Sequence, residues 1–190
     1  MPISKKIKIC LVLLLSIWAI FVLDVILPID FNQYGIRPRT LSGIFGVFFS
    51  PFLHGNLPHI ISNSIPLFVL TLVLLVFYEK QAMGVILGIV SLGGFAVWLV
   101  ADIFTPNTVH IGASGLIYGL AAFLILSGIF QRSFTALLIS ILVFLVYGGI
   151  FYYVLPVQPR VSWEGHLFGA LAGCYMAYMF RNKSEPKPNL

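Results

Sequence analysis

The sequence predicts an all-α membrane protein: six transmembrane helices in a bundle, with a long first loop at the membrane interface. Three observations predict it. Apolar residues make up 59% of the 190 residues and charged residues only 9%, against about 25% charged in an ordinary soluble domain. Apolar runs of spanning length recur along the chain, each near the ~20 residues that a helix needs to cross a bilayer. The basic residues sit at the ends of those runs and form no central patch. Lipid is the solvent for such a surface, and a net charge of +5 distributed this way orients spans and does not suit nucleic acid.

The first run is Ile9 to Ile29. It is long for the apolar core of a signal peptide and lacks a small-x-small cleavage site, so it reads as a retained helix, with Asp24 near its outer end. From Asp30 to Pro58 the chain carries Gly35, Pro38, Gly43, Gly46, Pro51, Gly55 and Pro58 among many aromatics. Breakers at that density exclude a spanning helix, and the apolar content argues against a solvated loop. A structured interfacial loop is expected. The second span covers His59 to Tyr78 and the third Met83 to Ala101, joined by a turn at Glu79-Lys80-Gln81. The fourth covers Ala113 to Phe130 and the fifth Phe134 to Leu155, joined by Gln131-Arg132-Ser133. The sixth covers Glu164 to Phe180. Residues 1–8 form a basic N-terminal segment, 9–180 the helical domain, and 181–190 a polar, Pro-rich tail expected to be disordered.

Six spans put both termini on one side. If that side is cytoplasmic, the inner segments hold Lys5, Lys6, Lys8, Lys80, Arg132, Arg181, Lys183 and Lys187, eight of the eleven basic residues. Only Arg37, Arg39 and Arg160 face outward, which satisfies the positive-inside rule. The cysteines, Cys10 and Cys174, lie inside apolar runs and read as packing residues. No metal-ligand or disulfide spacing is visible, and no cofactor is expected.

Polar groups within spans are costly and usually functional. The second span opens with His59 and Asn63, one turn apart on one face, and His54 lies just before them. The fourth opens with Gly112-Ala113-Ser114-Gly115, and Tyr118 follows one turn later. The sixth carries His166 about one turn in. All lie near the outer ends of their helices, so three distant segments bring polar groups to a similar depth. A serine hydroxyl needs a base to become a nucleophile, and an imidazole serves near neutral pH. Ser114 and His166 are the candidate pair. The Ser114 backbone N–H is unpaired at its helix start. With His59 and Asn63 it offers donors to an oxyanion, and the Tyr118 ring is placed to pack on the imidazole. Gly165, Gly169 and Gly173 form a small-xxx-small series facing Gly115, Gly119 and Ala122, which would let the fourth and sixth spans approach closely. Gly112 and Gly115 leave room beside the serine for a substrate backbone.

These residues resemble the rhomboid family of intramembrane serine proteases. The family's GxSG motif appears as Gly112-Ala113-Ser114-Gly115, and its HxxxN motif as His59-Ile60-Ile61-Ser62-Asn63. Its C-terminal histidine, followed by glycine three residues on, appears as His166 and Gly169. The order of motifs and the six-span core fit over nearly the whole chain, which looks like a minimal six-helix member of bacterial or archaeal type. The resemblance implies Ser114 as nucleophile and His166 as general base of a dyad without an acidic third member. It implies an oxyanion hole of His59, Asn63 and the Ser114 N–H, with Tyr118 stacked on the histidine. His54 matches a further histidine ahead of HxxxN, and His110 is taken as structural. The first loop lacks the Trp-Arg pair of many members. The implied partners are single-span or other transmembrane substrate proteins and the lipid bilayer, in a cell membrane with both termini cytoplasmic. Two other classes stay open. One is an inactive relative that binds transmembrane helices, which a fluorophosphonate probe would distinguish. The other is a transporter or metal protein built on the four histidines, against which His54 and His59 lack the i,i+4 spacing of helical ligands.

Overall fold

The computed structural model describes residues 1–102, 108–131, 133–156 and 162–182. The tail expected to be disordered lies outside the described residues from 183 onward, as do Pro106, Asn107, Arg132 and Arg160. Helix α1, Ile3–Ile26, takes in Lys5, Lys6 and Lys8 and so begins earlier than the apolar run. Lysine is a good helix former, and Lys6, fully buried, pairs with Glu79 at 3.0 Å. The helix stops where Pro28 forces Leu27 into extended geometry, with ψ 148°. Asp24 has more to do than sit at an interface. It accepts from the Phe31 backbone N–H at 2.5 Å and the Asn32 side-chain amide at 2.9 Å, fastening the first loop to α1.

That loop contains a 3-10 turn at Phe31–Tyr34, helix α2 at Leu41–Phe49 and a second 3-10 turn at Ser50–Phe52. The glycines exclude a span, as expected, but they do not prevent a helix. Thr40 caps α2 by accepting from the Gly43 N–H at 3.0 Å. Gly43 and Gly46 let α2 lie directly on the preceding backbone, where an added Cβ would meet the Arg37 and Gly35 carbonyl oxygens at 2.1 and 2.2 Å. Leu41, Phe45, Phe48 and Phe49 point outward.

Helix α3, Leu57–Phe77, starts with the Asn56 side chain accepting from the His59 N–H at 2.9 Å and with Pro58 in its first turn. Helix α4, Glu79–Gly88, continues through a π turn at Ile89–Gly93 into α5, Gly94–Val100. Helix α6 is Ser114–Phe130. Helix α7, Phe134–Tyr147, runs on as a 3-10 segment, Gly148–Val154, and α8 is Trp163–Met179. The six expected spans are therefore helical. The stretches Ile3–Ile26, Leu57–Phe77, Glu79–Val100 and Phe134–Val154 are long and apolar enough to cross a membrane. Helices α6 and α8 have 17 residues each, about 26 Å, slightly less than a ~30 Å hydrocarbon core.

Every residue of α6 from Leu116 to Leu124 is buried. A helix that is apolar all round belongs at the centre of a bundle. Helix α8 packs along α6 in the most extensive helix contact of the molecule, through the expected glycine stripe. A Cβ on Gly169 would lie 2.1 Å from the Gly115 carbonyl oxygen, and one on Gly173 2.0 Å from that of Gly119. On its other side α8 meets the π turn, where a Cβ on Gly93 would lie 3.2 Å from the Gly169 Cα. Gly165 backs onto Gly115, whose added Cβ would be 3.2 Å from the Gly165 carbonyl, so α6 and α8 begin at the same end of the bundle.

Candidate active site

The site is built from the starts of α3, α6 and α8. The chain enters α6 through an antiparallel bridge in which the His110 N–H donates to Ile36 O at 2.9 Å and the Ile36 N–H to His110 O at 3.0 Å. The Gly112 N–H then donates to Ser50 O at 2.8 Å. Gly112 has φ +114°, and an added Cβ would sit 2.6 Å from His59 Nε2 and 3.7 Å from Asn63 Nδ2. Both the turn and the approach of the α3 side chains therefore require glycine. The room beside this glycine goes to His59, whereas the sequence suggested a substrate backbone. The N-cap of α6 is Ala113, which has no side-chain acceptor, so the first N–H groups of the helix have no side-chain cap. Asn63 is 5% exposed, and its Nδ2 is buried without a hydrogen-bond partner among the described residues. A buried donor left unpaired costs about 1–3 kcal/mol, a cost offset by any acceptor that enters beside it.

On α8, His166 is buried, and its Nδ1 lies 2.9 Å from the Tyr153 carbonyl oxygen. A carbonyl only accepts, so Nδ1 carries the proton and Nε2 is the unprotonated nitrogen of the neutral ring. The Tyr118 ring stacks on the imidazole with centroids 4.1 Å apart and planes within 6°. Its hydroxyl donates to Ile150 O at 2.8 Å.

Ser114, His166, His59, Asn63 and Tyr118 all line one open cleft of about 1330 Å³. The structure thus brings together every polar site residue read from the sequence. Gly112, Gly115 and Gly169 line a smaller cavity of about 50 Å³ on the other side of Ser114. Among the described residues no hydrogen bond joins Ser114 to His166, whose imidazole is held by Tyr153 and Tyr118. Contacts of this kind tighten when substrate arrives in many free enzymes. Tyr153, not a site residue in the sequence reading, supplies the carbonyl that orients His166. Trp163 and Glu164 also line the cleft. His54 lies edge-on to His59, with centroids 5.0 Å apart. Burial first and His59 second pull its pKa down to about 4, partly opposed by the Phe52 backbone. His54 is therefore neutral at physiological pH.

The fold and cleft define a class: a multi-pass, all-α membrane protein whose polar pocket is assembled at the openings of three helices. A family model, the rhomboid domain, matches residues 42–183. The chain belongs to the rhomboid family, which comprises intramembrane proteases and inactive relatives. Uncharacterised proteins of Mycobacterium bovis and Mycobacterium tuberculosis are 41% identical to it over 150 residues, covering 76% of this chain and 62% of theirs. One from Mycobacterium leprae is 38% identical over 154 residues, covering 78% of this chain and 61% of its own. The chain thus spans under two thirds of the length of these curated relatives.

Proposed function

We propose that this chain is a serine endopeptidase that hydrolyses peptide bonds in or near transmembrane segments of substrate proteins. Ser114 Oγ attacks the scissile carbonyl while His166 Nε2 takes its proton. The same nitrogen later returns the proton to the leaving amine. The oxyanion is received by the Ser114 N–H, the Asn63 amide and His59. Gly112, Gly115 and Gly169 support the site by permitting close backbone approach. The observation that carries the reading is the unpaired Asn63 amide, buried in a cleft that also holds Ser114 and an imidazole of fixed tautomer. A donor without a partner, next to a nucleophile and a base, suits an acceptor that appears only in the transition state.

The substrate helix must unwind locally, because a regular helix hides its carbonyls in hydrogen bonds. Small or helix-breaking residues are therefore favoured at the cut. Both termini lie in the cytoplasm of a bacterial-type cell membrane in this reading, with the cleft outward. The supports are the eight-to-three division of basic residues and the Lys6–Glu79 pair, which sets the start of α1 beside Lys80. The protease domain corresponds to residues 9–180.

The test is cleavage of a tagged single-span substrate by purified protein in liposomes, beside the Ser114→Ala variant. Serine-dependent cleavage, with serine-dependent fluorophosphonate labelling, is the expected result. Folded wild-type protein that neither cleaves nor labels would make it a non-catalytic helix-binding member of the family.

A further inference from the structure

The first turn of α8 is held by more than its own backbone. Its N-cap is Ser162, whose carbonyl accepts from the His166 N–H at 3.2 Å and whose Oγ accepts from the Gly165 N–H at 3.2 Å. The same Oγ lies 2.6 Å from His110 Nδ1. The other ring nitrogen, Nε2, lies 3.1 Å from Asp102 Oδ1 and 3.1 Å from Thr108 Oγ1. Asp102 also accepts from the Thr108 N–H at 2.9 Å and from the Thr108 hydroxyl. Asp102 and His110 are 5% and 6% exposed. A carboxylate only accepts, so Nε2 is protonated. In the neutral ring Nδ1 is then an acceptor for the Ser162 hydroxyl. The proton directions close without conflict from the Gly165 amide through Ser162 and His110 to Asp102.

This chain of bonds joins three segments. Asp102 follows α5, at φ 63°. His110 belongs to the segment that leads into Ser114 and is bridged to the first loop. Ser162 begins the helix that carries His166. The glycine contact of Gly169 with Gly115 holds α8 to α6 at a second point further along. His166 lies between the two attachments. The tightest glycine contacts, at Gly169 and Gly173, lie C-terminal to His166, and at 1.5 Å rise per residue His166 sits about 4.5 Å before the first of them, on the turn that the Ser162 attachment holds.

We infer that His110 is a positioning residue: its Nδ1, kept an acceptor by Asp102 at Nε2, holds the Ser162 hydroxyl and so fixes the start of α8, and with it the placement of the His166 imidazole against Ser114. The inference rests on the proposed protease reading for its effect on catalysis, and on geometry alone for its effect on α8.

Two substitutions separate the halves of the bridge. In His110→Asn the side-chain carbonyl stands where Nδ1 stands and keeps the Ser162 bond. In His110→Gln the terminal amide reaches the Nε2 position and keeps only the Asp102 bond. With full-length protein in liposomes, His110→Gln and Ser162→Ala are expected to lose ~10²-fold in kcat, with KM changing less than about 2-fold. His110→Asn and Ser162→Thr retain most activity. Hydrogen exchange, read by mass spectrometry, is expected to accelerate at the Gly165 and His166 amides in His110→Gln and Ser162→Ala only. Equal loss in His110→Asn and His110→Gln, tracking their melting temperatures, would reduce His110 to a structural residue and overturn the inference. So would wild-type exchange at the α8 start in His110→Gln, an outcome readable even if the wild-type protein cleaves nothing. Absence of wild-type cleavage alone defeats the protease reading and the catalytic part of the inference, while accelerated exchange would still support the bridge itself.

Discussion

Replacing Gly169 with alanine adds one methyl group at the close contact between α6 and α8 nearest the dyad. The new Cβ would lie 2.1 Å from the Gly115 carbonyl oxygen, 2.8 Å from its carbon and 2.9 Å from its Cα. All three atoms are backbone, so no side chain can swing away. Ordinary contact begins near 3.4 Å, so the helices must part by about 1.3 Å. Gly115 adjoins Ser114, and His166 lies one turn from Gly169, so most of that separation falls between nucleophile and base. A misplacement of this size costs ~10²-fold in kcat, about 2.7 kcal/mol in the barrier. Helix α8 itself is not weakened, since alanine is favoured over glycine in a helix by about 1 kcal/mol. The assay is cleavage of a tagged single-span substrate in liposomes, with melting temperature measured alongside. Gly149→Ala is the control, because nothing lies within 4 Å of a Cβ there, and it should leave turnover unchanged. A Gly169→Ala protein with wild-type kcat and KM would refute the claim that the glycine contact sets the dyad geometry.

Asn63→Ala should lower kcat by ~10²–10³-fold if its amide receives the oxyanion, and full activity in a steady-state assay would remove it from that role. Tyr118→Phe keeps the stack on His166 and loses one hydrogen bond of about 1 kcal/mol, so kcat should change little. Tyr118→Ala loses the stack and should fall toward 10²-fold lower turnover; equal kinetics in the two variants would show that the ring does not matter. His54 is held neutral in the fold, with a pKa near 4, whereas the unfolded imidazole binds a proton below about pH 6.5. Its contribution to stability is therefore complete above that pH and is lost as the pH falls toward 4. Melting temperature in detergent should drop over this window, and less steeply in His54→Phe; identical slopes would exclude His54 as a source.

The spans and the polar residues at their starts were legible because each signal is local. A serine between glycines, a histidine one turn before an asparagine and glycines every four residues can be read along the chain. Their convergence follows from helices that begin at the same end. Helix α2 was not legible, because Gly43 and Gly46 read as breakers. Only the folded chain reveals that the Arg37 and Gly35 carbonyls occupy the space a side chain would need. The link from Asp102 through His110 to Ser162 was also hidden, since its members come from segments that meet only in the bundle. Hardest of all were the partners of His166 and Tyr118, which are main-chain carbonyls and therefore leave no mark in the sequence.

Those two carbonyls, of Tyr153 and Ile150, both belong to the 3-10 segment after α7. For these two bonds the site depends on the path of that segment, whatever its side chains add by packing. Truncating Ile150 or Tyr153 leaves the acceptors where they are, so an alanine scan passes over them. What these two bonds require is the winding of the chain, a demand that no single side chain expresses.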